Sequence, residues 1–450
     1  MQSSTPQLQR RLKNRHIQLI AMGGAIGTGL FLGSAHIIQS AGPSIILGYF
    51  IGGLVAFLIM RQLGEMIVHE PVTGSFSHFA FTYWGKFPGF LTGWNYWILY
   101  ILVAMTELTA IGKYINYWWP QIPAWVSVLF SFILVTLMNL ANVKIYGESE
   151  FWLSLIKVVA IIAMILFGVY LLFSTDTSST VSISNLWAHG GFFPNGFEGL
   201  FYMLAFMMFA FGGIELISMA AAETENPGQN IPKAVNQTVI RVFLFYICSL
   251  AVLLSLVPWN QLSLGDLEHS PFVMIFNLIG IDWAAHLLNF IILTASLSVC
   301  NSGMYANSRM LLGLAEQGNA PKVFKKMTTQ GIPVAAVLFS GLLIFGCVIL
   351  NYFVPEKALS YLIYIVVAAA VLNWMMISLI HLKFRKFIKQ ARQKTQFPAL
   401  FAPFGNYLVL AFMLMILYIM WTQGFMLSVL MLPVWIAVLF GVFKLVKKEA

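Results

Sequence analysis

The sequence predicts an all-α integral membrane protein of about twelve transmembrane helices, built as two five-helix units of opposite orientation with two helices after them. Three observations predict it: a composition starved of charge, a regular spacing of apolar runs, and glycine-rich interruptions at matching places in the two halves. Of the 450 residues, 59% are apolar and 9% charged, and the mean hydropathy is +0.83. Soluble domains carry about 25% charged residues, so a chain this poor in charge belongs in lipid. Cys248, Cys300 and Cys347 lie singly inside apolar runs without C-x-x-C spacing. They read as small packing residues, not as a disulfide framework or a zinc site.

An apolar helix of about 20 residues crosses a hydrocarbon core of about 30 Å. Twelve runs fit, at 17–40, 44–67, 90–117, 124–142, 151–173, 197–220, 238–258, 284–312, 334–352, 358–381, 405–424 and 427–446. Lysine and arginine collect on the cytoplasmic side of short loops. With both termini inside, that side receives Arg10, Arg11, Lys13 and Arg15, then Lys322, Lys325 and Lys326, the run HLKFRKFIKQARQK from His381, and Lys444, Lys447 and Lys448. Of 25 basic residues, only Lys113 and Lys357 fall on the other side. The loops STDTSSTVSISNLWAHGGFFPNG and NQLSLGDLEHS, without Lys or Arg, are placed outside. The net charge of +9 is then juxtamembrane charge facing lipid, and no nucleic-acid partner is needed. The polar, basic start is followed by no small-residue cleavage site before a soluble domain, so the first run is expected to persist as a helix.

The two interruptions are GGAIGTG, Gly23 to Gly29 in span 1, and FAFGGIE, Phe209 to Glu215 in span 6. Glycine in a helix interior costs about 1 kcal/mol relative to alanine, and unwound backbone at mid-membrane is tolerated only inside protein or along a cavity. The breaks divide the chain into a cytoplasmic segment 1–16, a first repeat 17–173, a second repeat 197–381, helices at 405–446 and a tail 447–450. An odd number of crossings inverts the second copy. Unwinding span 1 frees the amides of Gly27, Thr28 and Gly29 on the outer half-helix and carbonyls near Ala25 and Ile26 on the inner one. Amides suit a carboxylate and carbonyls an ammonium, which together describe the head of an amino acid. The competing reading is close helix packing through Gly23-x-x-x-Gly27. A second break carrying an acid favours the binding site.

Ionisable residues within spans are functional candidates by default, and Glu107, Lys157 and Glu215 stand out. Glu215 follows the second break and suits a hinge that accepts hydrogen bonds from freed amides or hydroxyls, with a part in coupling as the other reading. Lys157 lies near enough to one face to snorkel into headgroups, which is its ordinary alternative. Glu107 cuts across substrate choice. Ionised and facing a pocket, it favours a cationic side chain such as lysine; protonated, or paired with Lys157 or Tyr100, it leaves room for an aromatic ring. Ala25, Gly27, Ala210, Gly212 and Gly213 leave volume for a bulky side chain, and Tyr100 and Ala104 are placed to line it one and two turns before Glu107 and Leu108. Arg15 stands at the inner mouth of span 1, as a gate partner or a topology signal. Eight histidines show no metal-binding spacing, and P-loop, nucleophile-elbow and dinucleotide motifs are absent, so neither ATP-driven transport nor enzyme chemistry is supported. WNYW and YINYWWP match interfacial aromatic belts. A non-transporting sensor would need a soluble domain to signal through, and a channel would have no use for paired breaks around an occluding site.

LKNRHIQLIAMGGAIGTGLFLGSA, FMMFAFGGIELISMAAAETENPGQNIPKAV and NSGMYANSRMLLGLAEQGNAPK together resemble the bacterial amino acid permeases of the amino acid-polyamine-organocation superfamily, from about Leu12 to Lys444. RQLGEM, GWNYWILYILVAMTELTAIGKYI, FWLSLIKVVAI and SPFVMIF look most like the aromatic amino acid and phenylalanine permeases. The resemblance implies the leucine-transporter-type fold with discontinuous helices 1 and 6, and proton-coupled import across the inner membrane with no cofactor besides the proton. It puts the substrate carboxylate on the amides of Gly27, Thr28 and Gly29 and the ammonium on carbonyls of Ala25, Phe209 and Gly212. Phe209 takes the place of an aromatic gate whose face also suits an ammonium, although a packing role is ordinary among 38 phenylalanines. Lys157 takes the place where sodium-dependent members of the fold hold their ion. The expected cargo is an aromatic amino acid, with cationic or other amino acids, or exchange, as alternatives.

Overall fold

The computed structural model describes residues 26–31, 33–72, 74–141, 143–174, 181–219, 221–262, 272–273, 276 and 281–448. The segment 1–16, the inner part of span 1 with Gly23, Gly24 and Ala25, the gate candidate Arg15, and the last two residues of the tail lie outside the described residues.

Among the described residues the regular structure is helical. Span 1 appears as α1 (Thr28–Phe31) and α2 (Gly33–Ala41), followed after a turn by α3 (Ile45–His69). Then come α4 (Ser75–Tyr83), α5 (Lys86–Asn116), α6 (Ala124–Leu140) and α7 (Val143–Phe173). The second half holds α8 (Gly196–Ala210), α9 (Leu216–Met219), α10 (Pro227–Arg241) and α11 (Ser249–Leu256), the last two joined by a π-helical turn at Val242–Cys248. It continues with α12 (Asp282–Glu316), α13 (Val334–Ile344), α14 (Gly346–Phe353), α15 (Pro355–Gln390), α16 (Phe404–Thr422) and α17 (Met426–Lys448). Nine helical stretches among the described residues are long and apolar enough to cross a membrane, and α6 and α8 are shorter apolar helices.

The helices overrun the apolar windows that predict them. The run expected at 358–381 is the 36-residue α15, and the run at 238–258 begins its rod at Pro227. Hydropathy stops at the first cluster of polar side chains, whereas backbone hydrogen bonding continues until a cap or a breaker intervenes. The nine-residue α4 was not among the expected runs because it is too short and too polar to span. The run at 334–352 is divided at Phe345.

The interior is organised around α5. It packs along α12 and α15 and also touches α4 and α6, while α3 packs on α8, α10 and α15. The apolar windows of α5 and α15 are 72% and 78% buried, against 28% for α7's and 11% for α17's. The first two therefore form the core, and the last two turn most of their apolar surface outward, as lipid-facing helices do. Short α1 lies against α8 and α12, which puts the two breaks side by side.

Candidate functional site

The break in span 1 is a bend at Ile26 and Gly27 leading into α1, whose first turn is closed by the amides of Leu30 and Phe31 on the Gly27 carbonyl, at 3.2 and 3.3 Å. Gly29 faces the end of α8 so closely that a Cβ there would sit 2.6 Å from Ala210 Cα. No side chain fits such a backbone-to-backbone approach, so glycine is required here for packing as well as for unwinding. In the second break, α8 ends at Ala210 and α9 starts at Leu216. Between them Gly213 has φ +96°, which strains an L side chain. The Phe209 carbonyl accepts the Gly212 amide at 3.1 Å, and the Ala210 carbonyl accepts the Tyr246 hydroxyl at 2.7 Å.

Glu107 reaches from α5 into the first break. Its carboxylate accepts the Thr28 amide at 3.1 Å on one oxygen and 3.3 Å on the other, and the Thr28 hydroxyl bonds it as well. Ser296 of α12 lies 3.1 Å from that hydroxyl. A Cβ on Gly27 would come 2.8 Å from both Glu107 Oε1 and Val299 Cγ2, so Gly27 makes room for the carboxylate. A carboxylate was expected on the amides of this half-helix as part of the cargo. The structure puts the chain's own glutamate on the Thr28 amide.

The partners proposed for Glu107 are arranged differently. Tyr100 donates its hydroxyl to Glu215 at 3.1 Å, at the second break. Lys157 is completely buried, so it does not reach outward to headgroups. It lies in the electrostatic field of Glu150 and Glu107. Glu150 is itself held by Ser154 at 3.1 Å and Ser298 at 2.5 Å.

A cavity of about 30 Å³ lies between the breaks, lined by Gly27, Gly29, Tyr100, Glu107, Phe209, Ala210, Gly212, Gly213 and Glu215 of the residues singled out from sequence. That space has room for water but not for a side chain of any size, so the volume expected from the small residues is largely taken up by neighbouring side chains. Ile26, Thr28 and Ala104 are buried but do not line it. The Ala104 carbonyl meets Cys300 Sγ of α12 at 3.9 Å. The remaining wall is Leu99, Val103, Met208, Val299, Val366 and Ala370, none of them singled out beforehand. For two of them a signal existed: Leu99, Val103 and Glu107 repeat every four residues, a stripe that marks one helix face. Val299, Val366 and Ala370 come from α12 and α15, and nothing local distinguishes them from other apolar residues.

Several buried charges outside the cavity also escaped the sequence reading. Arg309 of α12 pairs with Glu223, just beyond the second break, at 3.0 Å, with its guanidinium 3.9 Å over the Tyr305 ring. Glu65 of α3 accepts from His381, Arg385, Thr395 and the Ala399 amide. Among the described residues no group of three His, Cys, Asp or Glu side chains is placed to hold a metal ion.

Comparison with known proteins finds relatives along nearly the whole chain. Residues 16–449 match the amino acid permease family. The aromatic amino acid transport protein AroP of Salmonella typhimurium strain LT2 is 57% identical over 444 residues, covering 98% of this chain and 96% of the relative. AroP of Escherichia coli K12 is 57% identical over 434 residues, covering 96% and 94%. The transporter YdgF of Bacillus subtilis is 44% identical over 445 residues, covering 98% and 96%.

Proposed function

This chain belongs to the amino acid permease family, a family of multi-pass membrane transporters rather than enzymes, and we propose that within it the chain imports phenylalanine, tyrosine and tryptophan with protons across the cytoplasmic membrane. The observation that carries the reading is the cavity between the two breaks, whose wall includes Leu99, Val103, Met208, Phe209, Val299 and Val366. Such an apolar wall suits an aromatic ring once its side chains part, and the two acids that also line the cavity, Glu107 and Glu215, are already bonded to Thr28 and Tyr100. The near-full-length identity to AroP proteins supports the same choice.

In this reading the chain has twelve spans with both termini cytoplasmic, the first repeat covers 17–173, the second, inverted, covers 197–381, and 405–446 supplies the last two helices. The abutment of Gly29 on Ala210 supports it, because paired breaks at the repeat interface are where such folds bind substrate. The substrate carboxylate takes the amides of Gly27, Thr28 and Gly29, competing with Glu107 for that of Thr28, and the ammonium takes carbonyls of Ala25, Phe209 and Gly212. Glu107 then serves the break rather than selecting a cation, as its bonds to Thr28 suggest. Lys157, buried between two acids, carries the coupling proton, Glu215 braces the second break through Tyr100, and Arg15 closes the inner mouth.

The test is uptake of labelled phenylalanine into proteoliposomes under an inward proton gradient, with excess tryptophan, tyrosine or lysine added in turn. Accumulation that a protonophore collapses, and that tryptophan and tyrosine compete, is the expected result. Competition by lysine alone would make Glu107 the side-chain anchor and the cargo cationic, and accumulation indifferent to the protonophore would point to exchange.

A further inference from the structure

The end of α15 forms a second concavity, remote from the cavity between the breaks. It encloses about 680 Å³. One wall is Leu382, Arg385, Lys386, Ile388 and Lys389, two turns of one side of the helix; the other is Gln393, Lys394, Thr395, Pro398, Ala402 and Pro403 from the segment that leads into α16. Four cations thus face one space, and none of the lining residues is acidic.

The groove is held in shape from behind. Thr395 and the Ala399 amide bond the buried carboxylate of Glu65, at 2.6 and 2.8 Å, and Arg385 reaches the same carboxylate at 2.7 Å. Phe397 is pinned under the Arg61 guanidinium, 3.8 Å above its ring. The returning segment is therefore fastened to α3, and the exposed lysines stand along an open groove of fixed shape. Directly beside its wall in the chain, Phe401 and Phe404 are 74% and 68% exposed, large rings of the kind that sit among acyl chains at the membrane boundary.

We propose that this groove is a binding site for an anionic phospholipid, its phosphate held by Lys386, Lys389, Lys394 and the outer face of Arg385, and its chains laid against Phe401 and Phe404. Charge complementarity sets the headgroup, because a zwitterionic lipid would bring a cation into a space already holding four. The flanking rings favour a lipid over a free anion. Each cation near a membrane surface is worth about 1 kcal/mol toward an anionic headgroup, roughly fivefold in affinity.

The experiment uses the full-length protein in neutral detergent without amino acid, titrated with phosphatidylglycerol, phosphatidylcholine or inorganic phosphate while thermal unfolding is followed. Phosphatidylglycerol raises the unfolding temperature, and the other two do not. The triple variant Lys386→Gln, Lys389→Gln, Lys394→Gln weakens the phosphatidylglycerol response roughly a hundredfold, whereas Lys322→Gln, Lys325→Gln, Lys326→Gln, which removes the same charge from another loop, leaves it intact. Should the groove variant itself be unstable, salt decides: added sodium chloride weakens the response of the unmodified protein, and a salt-independent response overturns the proposal. Equal loss in both triple variants, or no loss in the first, also overturns it. Stabilisation by inorganic phosphate equal to that by phosphatidylglycerol overturns the lipid and leaves a free-phosphate site. Neither substrate nor proton gradient enters this measurement, so its failure leaves the transport reading untouched.

Discussion

Glu65 and Glu107 are both carboxylates buried in helices, and their surroundings could hardly differ more. Each oxygen of Glu65 has two donors: Arg385 and Thr395 on one, His381 and the Ala399 amide on the other. All four come from α15 and the segment after it, so the carboxylate clamps α3 to that unit. Glu107 takes the amide and hydroxyl of one residue, Thr28, at a place where a helix is broken, and it also borders a cavity. A buried charge enclosed by donors from one rigid body holds structure. One that leans on a break beside open space has donors that another carboxylate can compete for.

The comparison can be broken by mutation, beginning with the largest effect. Gly27→Leu drives a side chain into Glu107 and Val299, so binding of phenylalanine should vanish, by more than about a hundredfold, while the protein still reaches the membrane. Equilibrium binding to the purified variant checks this, and affinity like that of the unmodified chain would remove Glu107 and Gly27 from the site. Glu65→Gln should cost about 3 kcal/mol of stability, because Arg385 loses its charge partner and the four donors around the carboxylate lose a charged acceptor, with some relief from the part-exposed arginine. Thermal unfolding reports it; a variant as stable as the parent would show that Glu65 is no clamp.

Glu107→Gln is the counterpart and should leave the unfolding temperature nearly unchanged while slowing transport by about tenfold, the worth of one hydrogen bond to a charged acceptor. If it unfolds as readily as Glu65→Gln, the two carboxylates play one role and the distinction fails. Lys157→Ala should retain exchange of labelled for unlabelled phenylalanine but lose accumulation driven by a proton gradient. Accumulation preserved in proteoliposomes would reduce Lys157 to an internal packing charge. The smallest effect sharpens the cavity side: Val103→Ala should shift the ratio of tryptophan to phenylalanine uptake by about tenfold, as expected for methyl-sized changes in an apolar pocket. Ala104→Gly, one residue on with its carbonyl at Cys300, should leave that ratio alone.

How much was legible follows from where each residue's partners lie. Glu107 is conspicuous as an acid in an apolar run, and the breaks announce themselves through glycine, so Gly27, Gly29, Gly212 and Glu107 were found and do line the cavity. Glu65 has its partners 316 to 334 residues away and sits close enough to a span end to pass for a boundary charge. Of the partners suggested for Glu107, Lys157 does lie in its electrostatic field, but the residue that bonds it directly, Thr28, lies 79 residues off and only packing brings it there. Tyr100 goes to Glu215 for the same reason.

By itself the sequence determined what depends on neighbours along the chain: that the protein lives in lipid, where its helices run, and where two of them cannot continue. Hydropathy and helix propensity are sums over consecutive residues, so they need no knowledge of the fold. Tertiary structure decided which faces meet. Successive residues point about 100° apart around a helix, so a single position separates Val103 on the cavity from Ala104 against α12. That rotation is set by how α5 beds against α12 and α15, and no stretch of sequence contains it.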